Sequence, residues 1–456
     1  MGDSRRDGLC WHCPGDDRRT YRAVIGSGRR HDAYIQLDDG GVQRKHRPDY
    51  WLVLCAALLM LIGMIIVYSV GPQYANLQNN AYGSNYSSSY FFIKQLVGIA
   101  LAIGGFVALT LTSFDYLKRH VVQLMMIGVG MSALLFLMGN VLHIDAIAQN
   151  TLGAYRWFHL GPITFQPSEL LKLAMILYMA VFLGKRYRQG KIDDLKETVY
   201  PMVGLVGIML VVVIWLQKDM GSGVAIASAA ASIFLVSTIN AKTLMRIALV
   251  GVLCLGIATV TSPHRMERII TFFGSEESMT RDDNDYHIKN AMIALGTGGL
   301  VGRGVGKSIQ STGYLPEAIN DSIFAVIGEI FGFVGTVLVV ILFVVLLLRV
   351  LRVMEYSPDM TKRLTVAGVF GWILAHFFMN IASMIHLAPL TGITLPFLSA
   401  GGSSMLFSGA ALGVVFQLSR YTAHKPIKIG DHDADISRRR RIGGSRYSGR
   451  RRVARS

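Results

Sequence analysis

Ten apolar runs, each of roughly bilayer-spanning length, are what most limits the folds open to this chain. They are Tyr50–Val70, Phe91–Ser113, Val121–Leu142, Ser168–Leu183, Tyr200–Leu216, Gly223–Ile239, Thr243–Val260, Ile323–Leu348, Leu364–His386 and Ser403–Leu418. Such runs, nearly free of charge, read as transmembrane helices. Composition agrees: 52% of the 456 residues are hydrophobic and 16% are charged, against about 25% charged in soluble proteins. The expected fold is an all-α polytopic membrane protein with ten transmembrane helices.

Charge sets the orientation. Even-numbered spans run into basic short loops: Lys118/Arg119, Lys185–Lys191, Lys242/Arg246, Arg349–Arg363 and the arginine-dense tail with Arg438–Arg441. The opposite short loops are poor in Lys and Arg. The positive-inside rule then puts both termini in the cytoplasm and leaves a large extracytoplasmic loop, Thr261–Asn320, between helices 7 and 8. The chain divides into a polar, basic tail (residues 1–49, expected to be disordered), a membrane domain (50–420) and an Arg-rich cytoplasmic tail (421–456). The net charge of +16 points to anionic lipid headgroups as partners of the tails, not to nucleic acid. The first apolar run is of full length and follows a polar segment, so it is expected to stay as an anchor and not to be cleaved. Cys10 and Cys13 flank Trp11-His12 and offer half a zinc site; Cys55 and Cys254 lie inside apolar runs and read as small core residues.

The polar residues that resist a bland explanation cluster on the predicted outer side. Glu317, Asp321 and Glu329 lie within Tyr314–Gly335. On a helix their spacings of four and eight would bring them onto neighbouring parts of one face. Pro316 would open that helix, and acidic groups suit its dipole. The alternative is a functional carboxylate at the mouth of a membrane helix. In the loop 143–167, Arg156-Trp157 precede Gln166-Pro167-Ser168, with Ser168 near a helix cap. Glu169 and Lys172 follow, three apart, and can pair at membrane depth. The 387–402 loop holds two prolines, three glycines and several hydroxyl residues among apolar ones, a composition that suggests a re-entrant segment. It ends in Gly401-Gly402-Ser403-Ser404, at a helix start whose N–H groups suit an anion. The segment Gly296–Ser308 imitates a phosphate loop but has Val301 where the first glycine is required. Its glycines read as turns and close backbone packing.

Taken together, Gln166-Pro-Ser-Glu169 with Lys172, Asp219-Met-Gly221, Tyr314-Leu-Pro-Glu-Ala318 with Asp321, and the long stretch Pro389–Ser404 resemble the SEDS family, which covers FtsW, RodA and SpoVE. The resemblance spans about residues 50–420 and excludes the tails. Pro316-Glu317-Ala318 is more similar to the division-type FtsW pattern than to RodA. The usual Ser-Tyr-Gly-Gly reads Ser399-Ala400-Gly401-Gly402, and the usual Gln-Pro-Asp reads Gln217-Lys218-Asp219.

The resemblance implies a peptidoglycan glycosyltransferase that polymerises lipid II on the outer face of the plasma membrane during cell division, at the septum. It implies Asp321 as the catalytic residue. It implies a substrate-binding set of Arg156, Trp157, Gln166, Glu169, Lys172, Asp219, Glu317, Ser399, Gly401, Gly402, Ser403 and Ser404, to which the basic outer loop adds Arg268. Its expected partners are a single-span class B penicillin-binding protein and other divisome proteins. No cofactor is required by the residues; a divalent cation such as Mg2+ or Mn2+ could assist the leaving diphosphate. Two other functions use the same residues: a lipid II flippase and a non-catalytic divisome scaffold. A flippase needs matching polar groups on the inner half, where mainly surface Lys and Arg occur.

Overall fold

The computed structural model describes residues 47–144, 148–151, 154–160, 163–260, Met266 and 283–422. Arg268, Cys10, Cys13 and most of the arginine-rich tail fall outside the described residues.

Eleven helices longer than one turn make up most of this region: α1 Tyr50–Tyr82, α2 Tyr90–Leu111, α3 Phe114–Phe136, α4 Pro167–Arg188, α5 Tyr200–Val211, α6 Met220–Val236, α7 Ala241–Val260, α8 Asp283–Gly298, α9 Ile323–Glu355, α10 Met360–Met384 and α11 Gly402–Ser419. Short π-helical turns extend α3 to Val141 and flank α5, giving continuous helical segments Phe114–Val141 and Leu195–Leu216. Among the described residues, eight helical segments are long and apolar enough to cross a membrane: α1, α2, α3, α4, α5, α9, α10 and α11, with the π turns counted in. The α6 helix is apolar but only 17 residues long. The chain is a multi-pass membrane protein by the length and composition of these helices.

Three expectations need correction. The fold is not purely helical, because residues 148–165 carry a small antiparallel sheet, β1 (Ala148–Thr151), β2 (Ala154–Leu160) and β3 (Ile163–Phe165). In β2 the pairing passes from Trp157 opposite Gln149 to Tyr155 opposite Asn150, so Arg156 is an extra, bulged residue. The bulge lets Tyr155 and Phe158 both pack against Leu135 and Ala148 although their spacing is odd. Second, Glu317 and Asp321 do not share a helix with Glu329. Residues 314–322 form turns, and the helix starts at Ile323. The reason is local: the Glu317 carbonyl accepts the N–H groups of both Asn320 and Ser322, while Ser322 Oγ donates to the Pro316 carbonyl. That arrangement closes a compact turn in which Glu317 is left-handed, at φ +48°. Third, Cys254 is exposed and not a small core residue; Pro167 and Ser168 open α4 as expected, with Gln166 at the cap position.

Close packing follows small residues. A Cβ on Gly409 or Gly413 of α11 would overlap the carbonyls of Ala102 and Phe106 on α2, so these glycines let the two backbones approach. The most enclosed helices are α4 and α11, which lie inside the bundle while α2, α3 and α5 expose most of their apolar surface.

The glycine-rich segment 298–304 has its explanation in α9. That helix breaks at Gly332 (φ 66°, ψ −159°), and a break strands backbone groups that need partners. The glycine segment supplies them. Arg303 N–H and Gly304 N–H donate to the carbonyls of Glu329 (2.9 Å) and Ile330 (3.0 Å), while Phe333 N–H and Val334 N–H donate to those of Gly299 (2.9 Å) and Leu300 (3.1 Å). A Cβ on Gly302 would overlap the Ile330 carbonyl, whereas Gly304 has open space; both have positive φ, +86° and +92°. Gly302→Ala should therefore lower the thermal unfolding midpoint of the detergent-solubilised chain more than Gly304→Ala, by the equivalent of about 1–3 kcal/mol. Equal losses would show that backbone strain alone matters there and that the close approach does not.

Candidate active site

The irregular stretch 385–401, between α10 and α11, is the piece on which the polar residues converge. Its 391–400 part packs against five other elements. Gly63 of α1 and Gln95 of α2 both meet the Leu398 carbonyl, the latter through Gln95 Nε2 at 3.4 Å. Gly221 of α6 packs on Ile393 and the Thr391 carbonyl. His376 of α10 reaches the Thr394 carbonyl through Nδ1 at 3.0 Å. Ala400 N–H donates to the Ile319 carbonyl at 2.9 Å. Ser399 stabilises the loop from within, its Oγ accepting from Leu395 N–H at 2.9 Å.

Asp321 lies in the turn just before α9 and is 9% exposed. Its backbone carbonyl accepts from Asn380 Nδ2 at 2.7 Å, and the same amide donates to the Ile393 carbonyl at 2.7 Å. One side chain of α10 thus pins the Asp321 turn to the 385–401 loop. The carboxylate faces Gly392, where a Cβ would come within 3.8 Å of Oδ2. From the other side, His287 Nε2 of α8 contacts Ser322 Oγ at 2.5 Å. Glu317 accepts from Asn320 and lies within electrostatic reach of Lys94 on α2. Glu329 sits apart: fully buried, it accepts Ser308 Oγ and the N–H groups of Ile309 and Gln310 (2.6–3.2 Å). It ties down the loop after the glycine segment.

A second centre lies on α4. Glu169 Oε1 and Lys172 Nζ are 2.8 Å apart, and the residues are 3% and 0% exposed. Lys172 also contacts His376 Nε2 at 3.2 Å and stands over the Trp372 ring at 5.1 Å. Trp372, His376 and Asn380 are four residues apart, so one stripe of α10 carries both the Lys172 contacts and the Asp321 pin. Gln166 Nε2 donates to Asp219 Oδ2 at 2.7 Å, and Asp219 Oδ1 caps α6 by accepting from Ser222 N–H at 3.0 Å. The bulged Arg156 donates to the carbonyls of Gln217 (3.2 Å) and Lys218 (2.8 Å), in the turn before α6. Trp157 stays in β2 opposite Gln149.

Gly401 is the cap position of α11, and Gly402 comes within contact distance of the Thr164 carbonyl in β3. Ser404 Oγ meets Thr394 Oγ1 at 3.2 Å. Glu169 Oε2, Thr391 Oγ1 and Ser403 Oγ are buried and make no hydrogen bond among the described residues. A buried polar atom without a partner is costly, and α4, the 385–401 loop and the first turn of α11 each carry one. Among the described residues no group of three His, Cys, Asp or Glu side chains gathers as metal ligands; the donor set does not fit a divalent ion held by the protein alone.

The structure therefore brings Gln166 to Asp219, Arg156 to the same α6 entrance, Glu169 to Lys172, and Asp321 to the loop carrying Ser399–Ser404. His376, Asn380, His287 and Lys94 are the partners that motif reading missed. For His376, Asn380 and Lys94 a signal existed: polar or charged residues inside apolar runs, which are expensive there. His287 carried none, since it lies in a segment polar throughout.

Comparisons with known proteins bear on the family and the fold. The cell cycle protein family model for FtsW, RodA and SpoVE matches residues 49–424. Stage V sporulation protein E of Bacillus subtilis is 32% identical, with 84% of this chain and 99% of that protein covered. A probable peptidoglycan glycosyltransferase FtsW of Saccharophagus degradans is 30% identical, over 83% of this chain and 94% of its own length. Among solved structures, a chain of a peptidoglycan synthase complex superposes with a TM-score of 0.62 at 22% identity, covering 83% of this chain and 99% of that one. The rod shape determining protein RodA of Thermus thermophilus gives 0.56 at 24% identity, covering 82% and 98%. The chain belongs to the FtsW/RodA/SpoVE family of cell cycle proteins.

Proposed function

We propose that the chain is a peptidoglycan glycosyltransferase that polymerises lipid II into glycan strands at the outer face of the plasma membrane, with Asp321 as general base. The observation that carries this reading is the Asn380 amide that joins the Asp321 turn to the 385–401 loop. It gives a carboxylate a fixed place beside Gly392 in the 385–401 loop, next to the buried Thr391 hydroxyl. Relatives called probable peptidoglycan glycosyltransferase FtsW support the reaction class. They also support a role in division, as does Pro316-Glu317-Ala318. The membrane domain has ten spans in this reading, α6 and α7 added to the eight segments above, with both termini cytoplasmic and residues 261–320 outside.

The chemistry is a displacement at the anomeric carbon of the donor sugar. The Asp321 carboxylate takes the proton of the acceptor's 4-hydroxyl as its oxygen attacks. The bond to the lipid diphosphate breaks, and an α-linked donor gives a β-linked product. Negative charge grows on the diphosphate, so it has to meet fixed cations and N–H groups. Lys172, Arg156 and Arg268 are the cations assigned to it, with the first turn of α11 at Gly402, Ser403 and Ser404 supplying amide and hydroxyl donors. Gln166, Asp219, Trp157, Glu317 and Ser399 shape the walls. A single-span class B penicillin-binding protein is the expected partner, along with other divisome proteins; the neighbour in a peptidoglycan synthase complex supports that expectation. The basic tails are assigned to anionic headgroups.

Asp321→Asn keeps the backbone carbonyl that Asn380 binds, so it should leave the unfolding midpoint nearly unchanged. Polymerisation of lipid II by the purified chain, alone or with its transpeptidase, should fall by about 10²–10⁴-fold. Polymer formed at the parent rate would remove Asp321 as the base. A lipid II flipping assay in the same liposomes separates transport from synthesis: flipping without polymer would favour the flippase.

The Glu169–Lys172 pair separates stability from activity. Lys172→Met leaves a buried carboxylate unpaired and should cost roughly 3–5 kcal/mol of stability. Adding Glu169→Gln should restore most of that loss in a thermal melt without restoring polymerisation. If the double variant polymerises at the parent rate, the pair is structural only.

A further inference from the structure

His376 takes no part in the chemistry described above, yet it is buried, 4% exposed, and bridges the two centres of the site. Its Nε2 lies 3.2 Å from Lys172 Nζ and its Nδ1 lies 3.0 Å from the Thr394 carbonyl. Both partners have fixed roles. An ammonium only donates and a carbonyl only accepts. The ring satisfies both in a single state: neutral, with the proton on Nδ1 and the lone pair on Nε2. A second ring proton would face the ammonium directly.

The consequence for Lys172 is directional. One N–H goes to Glu169 Oε1 at 2.8 Å, a second goes to His376 Nε2, and the ammonium stands over the Trp372 ring. A lysine side chain has a long flexible stem, and these three contacts from two helices remove its freedom. Thr394, held on the far side of the imidazole, passes the constraint on through its Oγ1 to Ser404 Oγ in the first turn of α11. A continuous chain of contacts thus runs from Glu169 through Lys172, His376 and Thr394 to Ser404.

We propose that His376 is a positioning residue, which sets the Lys172 ammonium relative to the 391–404 loop and the α11 N-terminus so that both meet the donor's diphosphate together. This rests on the glycosyltransferase reading above. Fixed charge placed in advance acts mainly on the transition state, so loss of His376 should lower kcat more than it raises KM.

Glutamine is the conservative replacement: its amide oxygen can accept from Lys172 while its NH2 donates to Thr394. Asparagine carries the same groups on a stem one methylene shorter and cannot span both. The test uses the full chain in detergent micelles with lipid II, comparing wild type, His376→Gln and His376→Asn by steady-state polymerisation. Acetylation of Lys172 by an amine-reactive ester, read by mass spectrometry, serves as a second readout independent of catalysis. Expected are a kcat for His376→Gln within about threefold of wild type and a kcat for His376→Asn at least about tenfold lower, with KM changed less than threefold. Lys172 should stay unlabelled in wild type and His376→Gln and become labelled in His376→Asn.

The proposal is overturned if His376→Asn matches wild type in both readouts, or if His376→Gln is as impaired as His376→Asn. Should His376→Asn fail to fold, His376→Gln alone decides, retention of kcat supporting the proposal and its loss overturning it. Should wild type make no polymer, the glycosyltransferase reading falls, and the Lys172 labelling pattern still decides whether His376 positions the lysine.

Discussion

The constraint on which the rest depends is that the 393–399 part of the loop between α10 and α11 is irregular backbone buried inside a helical bundle. Such a segment has peptide groups that it cannot pair internally, and each one left unpaired in a dry setting costs on the order of 1–3 kcal/mol. Every neighbour is shaped to meet that demand. Gly63 and Gly221 give up side chains so that carbonyls and side chains of the loop can approach. Gln95, His376 and Asn380 are polar residues in apolar helices, and each reaches a loop carbonyl. The polar residues that look anomalous on hydropathy are thus the ones that make the loop possible.

The same logic operates a second time at Gly332. There a helix gives up its own hydrogen bonds, and the 299–304 segment replaces them from outside. Glu329, three residues before the break, extends the splice by capping the turn at Ile309 and Gln310. The two irregular regions share α9: its start is pinned to the 385–401 loop through Asp321 and Asn380, and its break is spliced to the glycine segment. The short piece Ile323–Phe331 therefore connects two backbone repairs, and Asp321 sits at its entrance.

Much of this was legible in the sequence, and some was not. Spans were legible because twenty apolar residues leave few other options, and Glu169 with Lys172 because helical spacing brings them together. Asp321 and the Pro389–Ser404 stretch were legible as motifs. The bulge at Arg156, the α8 helix within a polar segment, and the turn that breaks Glu317 from Glu329 were not. Arg156 is decided by the distant carbonyls of Gln217 and Lys218, the glycine segment by the break in α9, and the Glu317 turn by local bonds to the Pro316 and Glu317 carbonyls. Helical periodicity reports on neighbours three and four residues away along a helix and is silent about distant partners and about turns.

The three carboxylates of Tyr314–Gly335 illustrate how far position in the fold separates identical chemistry. Glu317 occupies a left-handed turn and is bound by Asn320, three residues before α9 begins. Glu329 is fully buried, yet both of its oxygens are saturated by a hydroxyl and backbone N–H groups of one loop. Asp321 is held differently: the pin from Asn380 acts on its backbone carbonyl, which fixes where the residue stands. In the reading proposed above, that fixed backbone is what would place the Asp321 carboxylate for proton transfer from the acceptor.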